Sequence, residues 1–238
     1  MLNRLVILDR KNREEGEKPF WISFADLMSA LMVLFLLVMS VALLAVTKNV
    51  SESERNKAQR EQEIDKLLDQ VQLAAKDYPG VSVDRDRNVI DFGDRAHFDT
   101  GSSKLSNDQA EYLSSFVGKV LGIARNELGK KWVKQIVVEG FADQRGDYLL
   151  NLNLSLQRSQ RVLCVLLAPQ RGQQQMLSQS ELEEVRQLFL VGGYSFNSAK
   201  KTLEESRRIE LRLEFYGLGE PHLAVDEIPP GNFGTCRI

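Results

Sequence analysis

The chain has 238 residues, 43% hydrophobic and 27% charged, which excludes disorder throughout and leaves room for one sizeable domain beside a further segment. A formal net charge of −2 gives no bulk electrostatic reason to bind nucleic acid, and no direct nucleic-acid partner is expected. Cys164 and Cys236 are too few for a disulfide scaffold or a zinc site, and His97 and His222 lack metal-ligand spacing, so neither a metal nor a resident cofactor is expected.

After an N-terminal tail, residues 1–19, the sequence from Phe20 to Val46 reads FWISFADLMSALMVLFLLVMSVALLAV. Residues 22–46 alone make about 37 Å of helix at 1.5 Å per residue, enough for a hydrocarbon core of about 30 Å. We therefore expect one transmembrane helix over residues 20–46. A signal peptide would have a shorter apolar region with a small-residue cleavage site behind it, and VTKNVSESER offers none. Flanking charge does not orient the span: Arg10, Lys11, Arg13 and Lys18 precede it, and Lys48, Arg55, Lys57 and Arg60 follow at similar distance.

Within this span stands one carboxylate, Asp26. An acid at a membrane-helix centre costs about 2.5–3.5 kcal/mol on insertion scales, and such residues face protein and mark ion pathways. Asp26 lies only about 6 Å inside the start of the span, where water can reach, but a short Asp cannot snorkel as Lys does. Ser23, Asp26, Ala30, Val33, Leu37 and Ser40 recur at spacings of three and four, one small and polar stripe suited to close helix packing. One helix cannot enclose a pore, so the carboxylate implies partner helices.

Residues 47–77 read as a charged helical stalk whose end carries a narrow apolar stripe, Ile64, Leu67, Leu68 and Val71; for its first half a solvated linker is the alternative. The Tyr78-Pro79-Gly80 break opens a domain over 78–216. In it, VSVDRDRNVIDF predicts two short strands around a polar turn, and SNDQAEYLSSFVGKVLGIA a helix capped by Ser106 with Leu113, Phe116, Val117, Val120 and Leu121 on its apolar face. VKQIVVEGFAD is a strand ending in a loop, LSLQRSQRVLCVLLA a helix, RQLFLVGGY a strand and RRIELRLEFY a final alternating strand, with Arg207 and Arg208 on its polar face. Strands interleaved with helices give a small α/β sandwich. Residues 217–238 form a C-terminal tail.

GFADQRGDYLLNLNLSLQRSQRV, Gly140 to Val162, resembles the signature of the OmpA-like peptidoglycan-binding domain, matching it at Gly140, Asp143, Gly146, Asn151, Leu154, Ser155, Arg158 and Val162. HFDTGSSKLS upstream and ESRRIELRL downstream resemble the family's other two conserved segments, in the same order. The sequence departs from the family at Phe141, Ala142 and Leu150, in the ligand loop, where the family has His, Thr and Tyr. The fold class that follows is a single N-terminal transmembrane α-helix plus a periplasmic α/β sandwich of the OmpA-like kind.

The chemistry suits this resemblance. Diaminopimelate, the cross-linking residue of many peptidoglycan stems, carries an ammonium and a carboxylate on one side chain, so its receptor needs an acid and a base held a few ångströms apart. Asp143 and Arg158 are the pair expected to supply them, Arg gripping a carboxylate with its planar fork. Asn151 and Leu154 are expected to shape the loop and pack. The competing reading is an internal Asp143–Arg158 salt bridge. On the binding reading, removing either charge costs wall binding and leaves thermal stability unchanged.

FWISFADLMSALMVLFLLV resembles the membrane segment of B subunits in ion-driven rotary stators, in which the Asp of an aromatic-Ala-Asp stretch binds the translocated ion; Asp26 is the matching residue. An OmpA-like domain behind such a helix occurs in the flagellar stator and in the Zorya anti-phage system, and the Phe-Trp-x-Ser-Phe-Ala-Asp-Leu-Met entry is more similar to the Zorya form. The resemblance implies a multi-span A-type partner subunit, five A around two B chains as a homodimer, no enzymatic activity, and a proton or sodium ion as cargo. Peptidoglycan as a further partner puts the domain in the periplasm and the N-terminus in the cytoplasm, with the span in the inner membrane. A flagellar stator subunit and a passive wall tether remain the alternatives. In the oxidising periplasm Cys164 and Cys236 have the opportunity to pair, against a buried Cys164 with a loose Cys236.

Overall fold

One uninterrupted helix, α1, runs from Lys18 to Ala75 in the computed structural model, which describes residues 18–167, 177–222, 233, 234 and 236. Its length has a simple cause: Pro19 stands in the first turn, Pro79 and Gly80 lie just beyond the end, and no Gly or Pro falls between them. Three hydroxyls of the apolar part, Ser29, Ser40 and Thr47, donate to the carbonyls of Ala25, Leu36 and Leu43 at 2.8, 2.7 and 2.9 Å, and so are satisfied within the helix itself. Among the described residues this is the one helix long and apolar enough to cross a membrane, with mean hydropathy 2.8 in its most apolar window. Most of the expected N-terminal tail, residues 1–17, lies outside the described residues, as do 223–232, 235, 237 and 238 of the C-terminal tail.

The chain divides into two units, Met1–Asn56 and Lys57–Ile238. In the second unit the sheet is built from β1 (Ser82–Asp84), β2 (Val89–Asp91), β3 (Val133–Gly140), β4 (Phe189–Gly193) and β5 (Ile209–Phe215), in the order β1-β2-β5-β3-β4. Among the described residues only β3 and β4 pair in parallel. The helices are α2 (Asn107–Arg125), α3 (Glu127–Trp132), α4 (Tyr148–Leu167), α5 (Gln179–Leu188) and the single turn α6 (Leu203–Ser206). Ser106 caps α2 through a reciprocal box with Gln109, and all five apolar residues predicted for this helix are buried.

Strand alternation sorts the sheet's two faces. Ile136 and Val138 of β3 and Ile209, Leu211 and Leu213 of β5 join one core cluster with residues of α2, α4, α5 and the end of α1. The opposite face carries Glu139 and Glu210, both buried. Arg212 grips Glu139 with two bonds of 2.6 and 2.9 Å, and Glu210 accepts from Arg208 at 2.7 Å and Arg87 at 2.8 Å.

The apolar stripe of the stalk belongs to this core. Ile64, Leu67, Leu68, Val71 and Ala75 are buried in it, and a polar rim closes around them. Glu63 accepts from Lys131 Nζ at 2.5 Å and Trp132 Nε1 at 2.6 Å, Arg85 pairs with Asp65 and Asp69, and Arg60 donates to the Tyr216 carbonyl at 2.8 Å.

Helices α3, α5 and α6 were not expected from the sequence. Asn126 caps α3 by accepting from the Gly129 amide, and Ser178 and Glu181 form a capping box that starts α5. Because α5 continues to Leu188, Arg186 to Leu188 are helical and the expected RQLFLVGGY strand is confined to Phe189–Gly193. Helix α4 also starts earlier than LSLQ, at Tyr148, where the Asp147 carboxylate accepts from the Leu150 amide at 2.8 Å.

Candidate functional site: the loop between β3 and α4

The loop that carries Asp143 is positioned by a close approach of backbone to backbone. A methyl group on Gly140, the last residue of β3, would fall on the Ser155 carbonyl, and one on Gly193, the last residue of β4, would stand 2.8 Å from the Leu156 amide. Two glycines at adjacent strand ends let α4 lie directly across them. Past Gly140 the chain leaves the sheet with its backbone still held, Phe141 donating to the Arg208 carbonyl at 3.1 Å and Ala142 to that of Ser195 at 2.8 Å.

Asp143 is buried, and the four lone-pair positions of its carboxylate are all engaged. Oδ1 accepts from the Arg145 amide at 3.0 Å and from Arg145 Nε at 3.4 Å; Oδ2 accepts from Arg145 Nη2 at 2.8 Å and Arg207 Nη1 at 3.1 Å. Burial pushes this carboxyl upward, but the bonds from Arg145 and Arg207 outweigh it and hold it at about 2.

Arg158 is wholly buried beneath the loop. Its Nε donates to the Ser102 carbonyl at 2.9 Å, Nη1 to Phe141 at 2.7 Å and Nη2 to Asp99 at 3.1 Å, with the guanidinium over the Phe98 ring. It therefore ties together the loop before α2, the end of β3 and α4. Burial lowers it to about 10, the Asp143 charge opposing that shift and Arg207 adding to it. Asp143 and Arg158 thus lie within each other's electrostatic reach, while the direct ion pairs of Asp143 are with Arg145 and Arg207.

Asn151 is buried and donates from Nδ2 to the Arg145 carbonyl at 2.8 Å, fixing the turn in which Gly146 takes φ of 90°. Leu154 is half-buried on α4. At the positions that depart from the family pattern, Phe141 stacks on Tyr194 with centroids 5.4 Å apart and lies under the Arg208 guanidinium, whereas Leu150 is exposed together with Tyr148 and Leu149.

The sequence reading placed Arg207 and Arg208 on a polar strand face; the structure corrects this. Both precede β5 and are buried, Arg207 bonding Asp143 and the carbonyls of Phe98 and Leu203, Arg208 bonding Glu210. Arg145 was not singled out at all, although its place two residues beyond the motif Asp was a usable signal. His97 lies exposed on the loop after β2, its Nδ1 2.7 Å from the Asp94 carbonyl oxygen.

At the other end of the chain Asp26 sits on the exposed surface of α1, and among the described residues it makes no hydrogen bond or ion pair. Cys164 of α4 and Cys236 are joined as a disulfide with Cα atoms 5.6 Å apart, closing a sequence separation of 72.

Three comparisons bear on this arrangement. The family described as the membrane MotB of the proton-channel complex MotA/MotB matches residues 9–54. The Zorya protein ZorB of Escherichia coli O139:H28 (strain E24377A / ETEC) is 44% identical over 233 residues, 96% of this chain and 95% of its own length. Among solved structures, the cell wall anchor of the T6SS from Pseudomonas aeruginosa aligns with 63% of this chain and 97% of its own, at 18% identity and a TM-score of 0.43. A periplasmic domain of Helicobacter pylori MotB aligns with 60% of this chain and 85% of its own, at 16% identity and a TM-score of 0.42. For another MotB periplasmic domain, the alignment spans 54% of this chain and 64% of that domain, less than two thirds of its length, at 15% identity and a TM-score of 0.39.

Proposed function

The chain belongs to the ZorB family, and from that premise we propose that it is the wall-anchored B subunit of an ion-driven rotary stator in anti-phage defence. The observation that carries the proposal is the pairing, in one chain 44% identical to ZorB over almost its whole length, of a membrane-type helix bearing Asp26 with the Asp143 loop. The proposed division is a cytoplasmic tail over 1–19, the span over 20–46, a stalk over 47–77, the peptidoglycan-binding domain over 78–216 and a tail over 217–238. The span lies in the inner membrane with the domain in the periplasm.

In the proposed mechanism Asp26 is the ion carrier. Protonated it is neutral and tolerates lipid-like surroundings; deprotonated it seeks a polar partner, and each cycle swaps the two states. A charge crossing the whole membrane gains about 2.3 kcal/mol per 100 mV, which turns a ring of multi-span A-type subunits only if the B helices are held still. Asp143, Arg158, Asn151 and Leu154 build the site that holds them, by binding peptidoglycan. Five A chains around a B homodimer is the proposed stoichiometry.

The flagellar reading is favoured by the MotB match, which covers residues 9–54 and so only the membrane end; the ZorB match covers both ends. Purification in mild detergent tests the stator reading against a passive tether. A stator subunit brings down a larger multi-span protein in excess over itself, whereas a chain recovered alone contradicts the proposal.

A further inference from the structure

A wall ammonium has no vacant acceptor on Asp143. Its four lone-pair positions are filled by the Arg145 amide, Arg145 Nε and Nη2, and Arg207 Nη1. A ligand must therefore displace one of these donors, and the structure shows which can leave. Arg207 is nearly buried, and its guanidinium also donates to the carbonyls of Phe98 and Leu203 at 2.7 and 3.2 Å. The Arg145 amide is fixed by the backbone. The Arg145 side chain is 51% exposed and has one further anchor, the exposed Thr100 hydroxyl, which accepts from Nη2 at 2.8 Å.

We propose that Arg145 is a specificity-determining residue of this site: its guanidinium occupies the place on Asp143 that a ligand ammonium takes, and only a ligand that can displace it is retained. This rests on the reading of Asp143 as the receptor for a peptidoglycan ammonium. A simple amine exchanges one cation on Asp143 for another and gains little. A diaminopimelate side chain also brings a carboxylate, which the displaced guanidinium can grip with its fork once it swings outward into solvent. The site then discriminates by the second charge of the ligand. No bond is made or broken; one ion pair replaces another.

The experiment uses the full-length chain in detergent and purified sacculi bearing diaminopimelate stems, with bound fraction measured against sacculus concentration and competition by free diaminopimelate and by ethylamine. Arg145→Ala, Arg145→Gln and Thr100→Val are compared with the unaltered chain and with Asp143→Asn. Expected is a loss of discrimination: in the unaltered chain diaminopimelate competes at far lower concentration than ethylamine, whereas in Arg145→Ala and Arg145→Gln the concentration at which ethylamine competes falls by about two- to fivefold, the range that a partly exposed ion pair supports. Thr100→Val, which loosens the guanidinium without removing it, should shift competition the same way by a smaller factor. Unchanged competition by ethylamine in folded Arg145 variants, with Asp143→Asn still losing the sacculi, overturns the role of Arg145 and leaves wall binding standing. Retention of Asp143→Asn equal to that of the unaltered chain removes the wall reading itself, and the inference with it. A melting curve for each variant identifies any that is unfolded, and the remaining Arg145 and Thr100 variants then decide.

Discussion

Arg158 donates to the Phe141 carbonyl at 2.7 Å, so the helix that follows the Asp143 loop is tied to the strand end that precedes it. With the bonds to Ser102 and Asp99, this side chain satisfies three backbone carbonyls at once, that of Phe141 being buried. Removing it leaves the enclosed Phe141 acceptor unpaired beside a cavity and the loop before α2 without its tie to α4. Arg158→Ala should destabilise the second unit by about 3–5 kcal/mol, read as a fall in denaturant midpoint. This revises the expectation that charge removal at Arg158 spares stability. An unchanged midpoint would contradict the structural role assigned here.

The docked end of α1 gives a second prediction. Leu67 is buried in the core shared with α2 and the sheet, and Leu67→Ala should cost about 2–5 kcal/mol. By the same logic a fragment beginning at Tyr78 lacks Ile64, Leu67, Leu68, Val71 and Ala75, and should be far less soluble than one beginning at Lys57. Equal yields and melting temperatures for the two fragments would show that these contacts contribute nothing.

Acid sensitivity follows from two carboxylates. Asp143 is lowered from the ordinary 3.8 to about 2 by Arg145 and Arg207 against the opposing effect of burial, and Glu63 from 4.5 to about 2 by bonds from Lys131, Gln59 and Trp132. A folded value below the unfolded one means that the stability is complete above the unfolded value and lost as pH falls through the folded value. The melting temperature should therefore carry the full contribution of both groups, and no pH dependence from either, above about pH 5, and decline from there toward pH 2. Asp143→Asn should flatten part of that decline. A decline of identical steepness in the variant would mean that Asp143 is not one of its causes.

The Cys164–Cys236 bond closes a long loop, which chain entropy credits with about 4 kcal/mol. Cys236→Ser should lower the melting temperature of periplasmically expressed protein, and alkylation without reductant should find no free thiol in the unaltered chain. Two alkylated cysteines would exclude the bond.

The long apolar helix, the capped helix α2 and the motif Asp were legible because each is written in local pattern: apolar length, a Ser-x-x-Gln cap, a fixed motif spacing. The short helices α3 and α5 were not, because their apolar residues are few and their caps, Asn126 and Ser178, lie in polar stretches that also read as loop. The partners of Asp143 were hidden for another reason. Arg207 is 64 residues away in sequence and reaches Asp143 only because β5 pairs with β3, with Gly140 opposite Ile209. Burial of Arg158 was equally invisible, since a motif position does not say whether its side chain meets ligand or carbonyls.

The central claim, that Asp26 carries ions for a wall-held motor, is tested most directly by Asp26→Asn expressed with its A-type partner and accompanying effectors. Asparagine keeps the size and hydrogen bonding of the acid but cannot exchange a proton, and it is cheaper to place in a membrane than a charge. The variant should still co-purify with the multi-span partner and should give no protection when cells are plated with phage, while Asp26→Glu retains part of it. Full phage protection from an assembled Asp26→Asn complex would contradict the account.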